Sequence, residues 1–90
     1  MRTCESKDPV EVVDYGVNWT TVLQAGETIE SFAWTVPSGL TEGASSEDDG
    51  ICRVFISGGT LDAFYDVVNT ITTSAGRVYK ETLRIYIRGR

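Results

Sequence analysis

The sequence predicts an all-β protein with an immunoglobulin-like antiparallel β-sandwich of about seven strands. Of the 90 residues, 36 are Val, Ile, Thr, Tyr, Phe or Trp, whereas 26 are Ala, Leu, Met, Glu, Gln, Lys or Arg. This excess of β-branched and aromatic side chains favours strands over helices. Apolar and polar residues alternate over several segments, and a turn signal recurs every ~8–12 residues, as is typical of a sandwich. A β-barrel is the alternative architecture.

A single domain is expected, because 90 residues support one modest hydrophobic core. Residues 1–8 are polar and mixed in charge, and we expect them to form a flexible N-terminal arm. Residues 9–90 then form one Ig-like domain. The Asp8-Pro9 pair favours an extended or turn conformation at the start of that domain.

Two strands in the first half are predicted where apolar residues recur at every second position, and a third segment is a short strand candidate. They cover residues 10–22, 28–36 and 40–44. A turn over residues 24–27 separates the first two. Trp34 shares the inward face of the second strand with Phe32, and we expect it to fill the centre of the core. The strongly polar residues 45–50 are expected to form an exposed loop.

Strands in the second half follow the same pattern, over residues 51–57, 65–73 and 77–88. Residues 60–68 also show helical spacing, but the β-branched residues that follow disfavour a helix. We therefore expect a bend over residues 60–64 that leads into a strand from Tyr65. Tyr65 stands where a tyrosine corner would lie in an Ig-like sandwich. A tight turn over residues 73–76 precedes the last strand.

Composition argues against an enzyme and against a cofactor or metal site. There is no histidine, which removes the commonest acid–base group and the commonest metal ligand. Asp62 and Asp66 could act as a carboxylate pair, but a small sandwich offers no long substrate cleft. No apolar run approaches the ~20 residues of a membrane span, and the N-terminus lacks the hydrophobic region of a signal peptide.

Three short motifs are better explained by structure than by ligand binding. Residues 47–50 are acidic, but their spacing matches no EF-hand, so a solvated loop is the better interpretation. Residues 57–60 resemble a phosphate-binding loop but lack the Lys-Ser/Thr and the helix that should follow, which favours a turn. Four aromatic residues could form a platform for a sugar or peptide, although core packing is favoured. They are Tyr15, Trp19, Phe32 and Trp34.

Charge is unevenly distributed along the chain. Residues 1–66 contain twelve acids and three bases, a net charge of −9, whereas residues 67–90 contain five bases and one acid, a net charge of +4. An acidic body with a basic end favours association between unlike faces, and the alternative is a solvated surface. Nucleic acid is not expected as a partner, because the acidic body would repel phosphate.

The last strand supplies the candidate interface residues. Tyr86 lies between Arg84 and Arg88 on its outward face, and Arg90 follows. Tyr and Arg are enriched in the residues that dominate binding energy at interfaces. We expect these four residues to contact an acidic surface of a neighbouring molecule.

The two cysteines are expected to be unpaired. Cys52 lies in an apolar run and is expected in the core, whereas Cys4 lies in the polar N-terminal segment as a free, exposed thiol. This favours assembly in a reducing cytoplasm.

The ordered motifs between residues 8 and 88 resemble a family of small bacteriophage virion proteins described as phage fibre-tail adaptor proteins. The matching motifs are Asp8-Pro9, Asp14-Tyr15 with Trp19, Gly26-Glu27-Thr28-Ile29, Trp34-Thr35-Val36, Gly39-Leu40-Thr41, Ser57-Gly58-Gly59-Thr60, Tyr65 with Val67, residues 71–77 and Thr82-Leu83-Arg84-Ile85. Asn18 stands where the family pattern has Asp, and it keeps a hydrogen-bonding side chain there.

The resemblance implies a non-enzymatic structural protein of the virion tail. It would occur in many copies, associate with copies of itself in a ring, and link the tail or portal-proximal ring to fibres. Its implied partners are other tail, portal or fibre proteins, with neither nucleic acid nor membrane among them. Assembly would take place in the bacterial host cytoplasm. The alternatives are a capsid decoration or cement protein and a carbohydrate-binding module.

Overall fold

The computed structural model describes residues 2–88, with side chains from residue 7 onward. Seven strands and no helix are found in this part of the chain. They are β1 (Arg2–Lys7), β2 (Val13–Asn18), β3 (Ile29–Thr35), β4 (Leu40–Asp48), β5 (Ile51–Gly58), β6 (Phe64–Thr73) and β7 (Val78–Ile87). The prediction of an all-β chain of about seven strands is confirmed.

The strands form two sheets packed as an Ig-like sandwich. One sheet has the order β1-β7-β6-β3 and the other the order β2-β5-β4. Neighbours pair antiparallel except β1 and β7, which run parallel. The second sheet matches the B-E-D order of Ig domains, and β7-β6-β3 matches G-F-C. The sandwich, rather than the barrel, is therefore the architecture of this protein.

The core lies between the sheets and is built from their alternating inward positions. Its fully buried apolar members are Cys52, Val54, Ile56, Val67, Ile71, Ile85 and Ile87. Three of the four aromatic residues proposed as a platform, Tyr15, Trp19 and Trp34, are buried as well, and Phe32 is half-buried against them. The interpretation of these aromatics as core packing is confirmed.

A polar contact joins the two sheets inside this core. Trp19, just after β2, donates its indole N–H to Oδ1 of Asn69 on β6, with 2.8 Å between the heavy atoms. The Asn69 amide in turn donates to the carbonyl of Ala33 on β3, at 3.1 Å. Because Asn69 is fully buried, these bonds replace the water that its amide loses on folding.

The tyrosine corner is present. The hydroxyl of Tyr65, near the start of β6, accepts a hydrogen bond from the backbone N–H of Thr60 at 3.0 Å. Its ring lies against Gly39, where an added Cβ would come within 2.8 Å of the ring. The bend predicted before Tyr65 is therefore fixed by the side chain that marked it in the sequence.

Residues 2–7 form β1 rather than the N-terminal arm predicted over residues 1–8. They pair in parallel register with β7, from Arg2 opposite Thr82 to Lys7 opposite Ile87. An edge strand is held through its backbone on one side and needs few apolar side chains. Polar composition therefore did not indicate the strand.

The predicted loop over residues 45–50 is also shorter in the structure. Strand β4 continues to Asp48, and only Asp49-Gly50 connects it to β5. Both have positive φ angles, 51° and 85°, as a two-residue hairpin turn of type I′ requires. The run from Ser45 to Asp48 is polar because this edge strand is exposed, not because it leaves the sheet.

Candidate interaction surface

Strand β7 places the predicted interface residues on the outer face of the four-stranded sheet. Its inward side chains, such as Ile85 and Ile87, are fully buried, whereas Arg84 and Tyr86 are half-buried and face outward. Arg88 follows the strand and is exposed. The alternation predicted for this strand is confirmed. Arg90 lies outside the described residues.

An aromatic pair forms the centre of this surface. Phe64 at the start of β6 lies directly opposite Tyr86 in the antiparallel register. The two rings stack with centroids 4.6 Å apart and planes at 27°. The guanidinium carbon of Arg84 lies 5.5 Å from the Phe64 ring centroid, within the range of a cation–π contact. Because Phe64 is 56% exposed, the pair presents apolar area to solvent.

Two carboxylates hold the cationic and phenolic groups in place. Nε of Arg84 donates to Oδ1 of Asp66 at 3.2 Å, and the Tyr86 hydroxyl donates to Oδ1 of Asp62 at 3.1 Å. The bond to Asp62 raises the pKa of Tyr86, since the carboxylate stabilises the protonated phenol. These four residues with Phe64 are called here the outer-face cluster. The side chains expected to bind a partner are thus already ordered, which lowers the entropic cost of binding.

The carboxylate pair considered for glycosidic chemistry belongs to this cluster. Asp62 accepts from Tyr86 and Asp66 from Arg84. Asp62 adopts a φ of 66°, a conformation that Asp tolerates better than most side chains. Both carboxylates therefore have a structural role in ordering the outer-face cluster.

Lys7 lies at the end of the sandwich where the outer-face cluster is found, and it stabilises the packing of the strands there. It was not identified from the sequence. It is fully buried, and its ammonium donates to the carbonyls of Asp8 at 2.7 Å and Gly58 at 2.6 Å. Desolvation lowers the pKa of Lys7. Gly58 ends β5, so this side chain joins β1 of the four-stranded sheet to the three-stranded sheet. Nothing in the Lys-Asp-Pro sequence distinguishes it from a surface lysine.

Phe64 is the other residue that sequence analysis missed, although a signal was present. The turn over residues 73–76 sets the hairpin register, in which Thr72 lies opposite Val78. Counting along both strands from that pair brings Phe64 opposite Tyr86. The helix-like spacing of residues 60–68 indicated a bend over residues 60–64 but no contact of Phe64 with the last strand.

The charge asymmetry of the sequence is partly neutralised within the fold. Arg77 pairs with Glu27, with 3.0 Å between Nη1 and Oε2, and Arg84 pairs with Asp66. Two bases of the C-terminal segment thus bind acids of the N-terminal part. Arg88 and Lys80 remain exposed. The expected contact with an acidic neighbour stays a prediction.

The remaining motifs have structural roles. Gly58 and Gly59 have φ angles of 83° and 106°, and a Cβ on Gly59 would approach Cδ1 of Ile87 to 2.6 Å. The turn interpretation of residues 57–60 is therefore supported by close packing. Among the side chains that the structure describes, from residue 7 to residue 88, no group of His, Cys, Asp and Glu is placed to hold a metal ion. In the same range there is no helix long and apolar enough to cross a membrane.

Cys52 is buried and unpaired. Burial is the main reason that the pKa of its thiol rises to about 11, and the nearby charge of Glu47 adds to the shift. The core position predicted for this cysteine is confirmed. The side chain of Cys4 lies outside the described part of the structure.

Exposed aromatic and cationic side chains are enriched at protein interfaces, so the outer-face cluster, rather than the sandwich fold itself, favours a structural module that binds other proteins. Comparison with known families agrees with this class. Residues 7–86 match a family described as podophage GP4 fiber-tail adaptor protein gp77. The match covers most of the chain, so the protein belongs to this family, as the motif resemblance indicated. No curated protein matches the chain.

Proposed function

We propose that this protein is a non-enzymatic structural component of a phage virion tail that links the tail or a portal-proximal ring to fibres. Membership of the fibre-tail adaptor family supports the role. The observation on which the proposal rests is the outer-face cluster, in which an exposed Phe–Tyr stack is bordered by arginine. Such groups are the usual anchors of protein interfaces.

The proposed contact involves Arg84, Tyr86, Arg88 and Arg90 on this protein and an acidic surface on a neighbouring molecule. In a ring of copies, that surface belongs to the next copy, and the interface is heterologous because two different patches meet. Arg88 is exposed beside the ordered cluster. It can therefore bind a carboxylate without first breaking a bond seen in the fold.

We infer that the protein assembles in the host cytoplasm. The free thiol of Cys52 in the core is consistent with folding under reducing conditions. No disulfide is needed to hold the two sheets together, since the Trp19–Asn69 bond and the packed aromatics join them.

Charge reversal in particles tests the proposal. Phage lacking its own copy is complemented with the variant Arg84→Glu/Arg88→Glu, and incorporation is measured by immunoblot of purified particles. We expect incorporation to be lost while the isolated variant keeps its wild-type circular dichroism spectrum. Lys80→Glu on β7 and Arg88→Glu just after it form a matched pair of single variants at exposed bases, and only Arg88→Glu should impair incorporation.

Normal incorporation of the double variant would overturn the proposed interface.

Cryo-electron microscopy of wild-type particles tests the location of the protein separately. Density at the tail or portal vertex supports an adaptor, whereas density on the hexamers of the capsid would identify a decoration protein. A carbohydrate-binding role has less support, because Trp19 is only 4% exposed and its indole N–H already donates a hydrogen bond to Asn69. Binding of wild type but not Trp19→Ala on a glycan array would restore it.

A further inference from the structure

Strand β4 is an edge strand whose side chains are hardly covered. It contains nine residues, more than β1 and β2 with six each or β3 with seven. Of these nine, only Leu40 is buried, and every residue from Thr41 to Ser46 is exposed. The facing sheet therefore covers little of it beyond its first residue.

The backbone of β4 is open on one side. Within residues 2–88, β4 pairs only with β5 and has no strand on its other side. Residues 43–46 are Gly, Ala, Ser and Ser, so no large side chain shields their N–H and C=O groups. An exposed edge can add a further strand, and charges and bulges on the edge restrict which strands it accepts.

A bulge in β4 turns its glycine toward β5. The register shifts between Glu42 and Ser45, and a Cβ on Gly43 would lie 3.2 Å from Cβ of Phe55. Beyond the bulge, pairing with β5 continues from Ser45 to Asp48. The strand therefore stays in the sheet on both sides of the bulge, and the segment from Ser45 to Asp48 keeps regular pairing with β5.

Charge limits what can bind at this edge. Strand β4 and its turn contain Glu42, Glu47, Asp48 and Asp49 and no base. Two copies that paired through β4 would bring these acids together, and like charges on neighbouring strands are destabilising. The geometry favours a strand of opposite charge.

We propose that β4 accepts an extended basic segment of another protein, which adds to the three-stranded sheet as its fourth strand. The inference rests on the adaptor function, since an adaptor needs a second surface, and β4 lies in the sheet opposite the outer-face cluster. Backbone hydrogen bonds would supply the affinity, and the acids of β4 would select the charge.

The register between β4 and β5 defines how far apart the basic side chains of the partner strand must lie. Glu42 lies opposite Ile56 and Glu47 opposite Cys52, so both glutamates occupy the same face of the sheet. Across the bulge they are separated by the length of four β5 residues, about 13 Å. An unbulged partner strand meets both with two Lys or Arg side chains four residues apart.

A peptide titration tests this inference on the intact protein. The probe is Thr-Lys-Val-Thr-Val-Lys-Val-Thr, and the control peptide has Glu in place of both Lys. Backbone amide shifts of the 15N-labelled protein are followed by NMR at low salt, up to about 1 mM peptide, the range of weak binding. We expect the Lys peptide to shift amides of β4 and β5 and to slow hydrogen exchange in β4.

Charge variants make the test specific. Glu42→Lys should weaken binding of the Lys peptide about five-fold, because one cross-strand pair contributes up to ~1 kcal/mol. Glu30→Lys is the matched control, with the same charge change on the exposed face of β3, and should leave binding unchanged. Equal binding of both peptides, shifts centred on another edge, or no shift at the highest concentration would overturn the inference.

Self-association is a separate outcome. If the protein alone forms dimers in sedimentation and dimer formation protects the amides of β4 from hydrogen exchange, the occupant is a second copy and the proposed basic partner is wrong. Failure of the peptide test with normal incorporation into particles would remove strand addition alone. Loss of the adaptor role would instead follow from the particle experiment with the Arg84 and Arg88 variants.

Discussion

Strands β7 and β4 are nearly equal in length but are held in different ways. Strand β7 has ten residues, two neighbouring strands and buried side chains at every second position from Glu81 to Ile87. Strand β4 has nine residues, one neighbour and one buried side chain. Side-chain burial fixes the position of β7, whereas the Asp49-Gly50 turn and backbone pairing fix β4. Side-chain burial therefore contributes much more to holding β7 than to holding β4, and the sequence of the β4 edge is free to vary.

The largest expected effect comes from the buried face of β7. Ile85 is fully buried, and Ile85→Ala should lower the free energy of unfolding by about 2–5 kcal/mol, the cost of lost burial and of a cavity. Ser46→Ala on β4 is the contrasting variant and should change it by less than about 0.5 kcal/mol. Urea unfolding measures both. Similar losses for the two would show that β4 contributes to the core after all.

A smaller loss is expected when the polar link between the sheets is removed. Asn69→Ala leaves the indole N–H of Trp19 and the carbonyl of Ala33 without their partner. A buried group left unsatisfied costs about 1–3 kcal/mol, and we expect a loss of about 2 kcal/mol by urea unfolding. Asn18→Ala, which removes exposed bonds to Thr20, should cost clearly less. Equal costs would mean that water reaches the buried site.

Tyr65→Phe tests the corner that connects β5 to β6. It removes one hydrogen bond to the Thr60 N–H but keeps the ring against Gly39. We expect a loss of about 1 kcal/mol in thermal or urea unfolding. Because Thr60 is exposed, water can replace part of the bond, and a loss above about 3 kcal/mol would contradict this account.

The smallest effect is a change in the pH dependence of stability rather than in stability at neutral pH. The pKa of Lys7 is lowered in the fold from its ordinary 10.5, so the unfolded chain binds more protons just below that pH. Stability should therefore rise as pH increases toward 10.5. Lys7→Met should lack this rise, and Lys80→Met, which alters an exposed lysine on β7, should keep it. A rise of the same size in all three proteins would contradict the burial of the Lys7 ammonium.

Strands with alternating burial could be predicted from the sequence, and strands without it could not. The inward faces of β5 and β7 were recognised because Val54, Ile56, Ile85 and Ile87 fall at every second position. The second half of β4 and the whole of β1 were missed because an edge strand needs no apolar face. The positions of these two segments depend on hydrogen bonds to the backbone of a neighbouring strand. The amino-acid composition of a segment does not indicate such bonds.

The candidate surface shows the same division. Arg84 and Tyr86 were recognised as outward residues of an alternating strand. Their partner Asp62 lies in the bend before β6 and Phe64 is the first residue of that strand, and the contact depends on hairpin register rather than on any local pattern. The burial of Lys7 was missed for a further reason, since it requires the β5 carbonyl of Gly58, 51 residues away in sequence.

The parallel pairing of β1 with β7 has a mechanical consequence. Strand β1 begins opposite Thr82, and β7 ends opposite Lys7. A load that pulls the start of β1 and the end of β7 apart acts along both strands in opposite directions. It shears all six residue pairs of this ladder together instead of unzipping them one by one. This geometry resists tension between β1 and β7 better than one in which the pairs separate in turn, a useful property for the proposed link between a fibre and a tail.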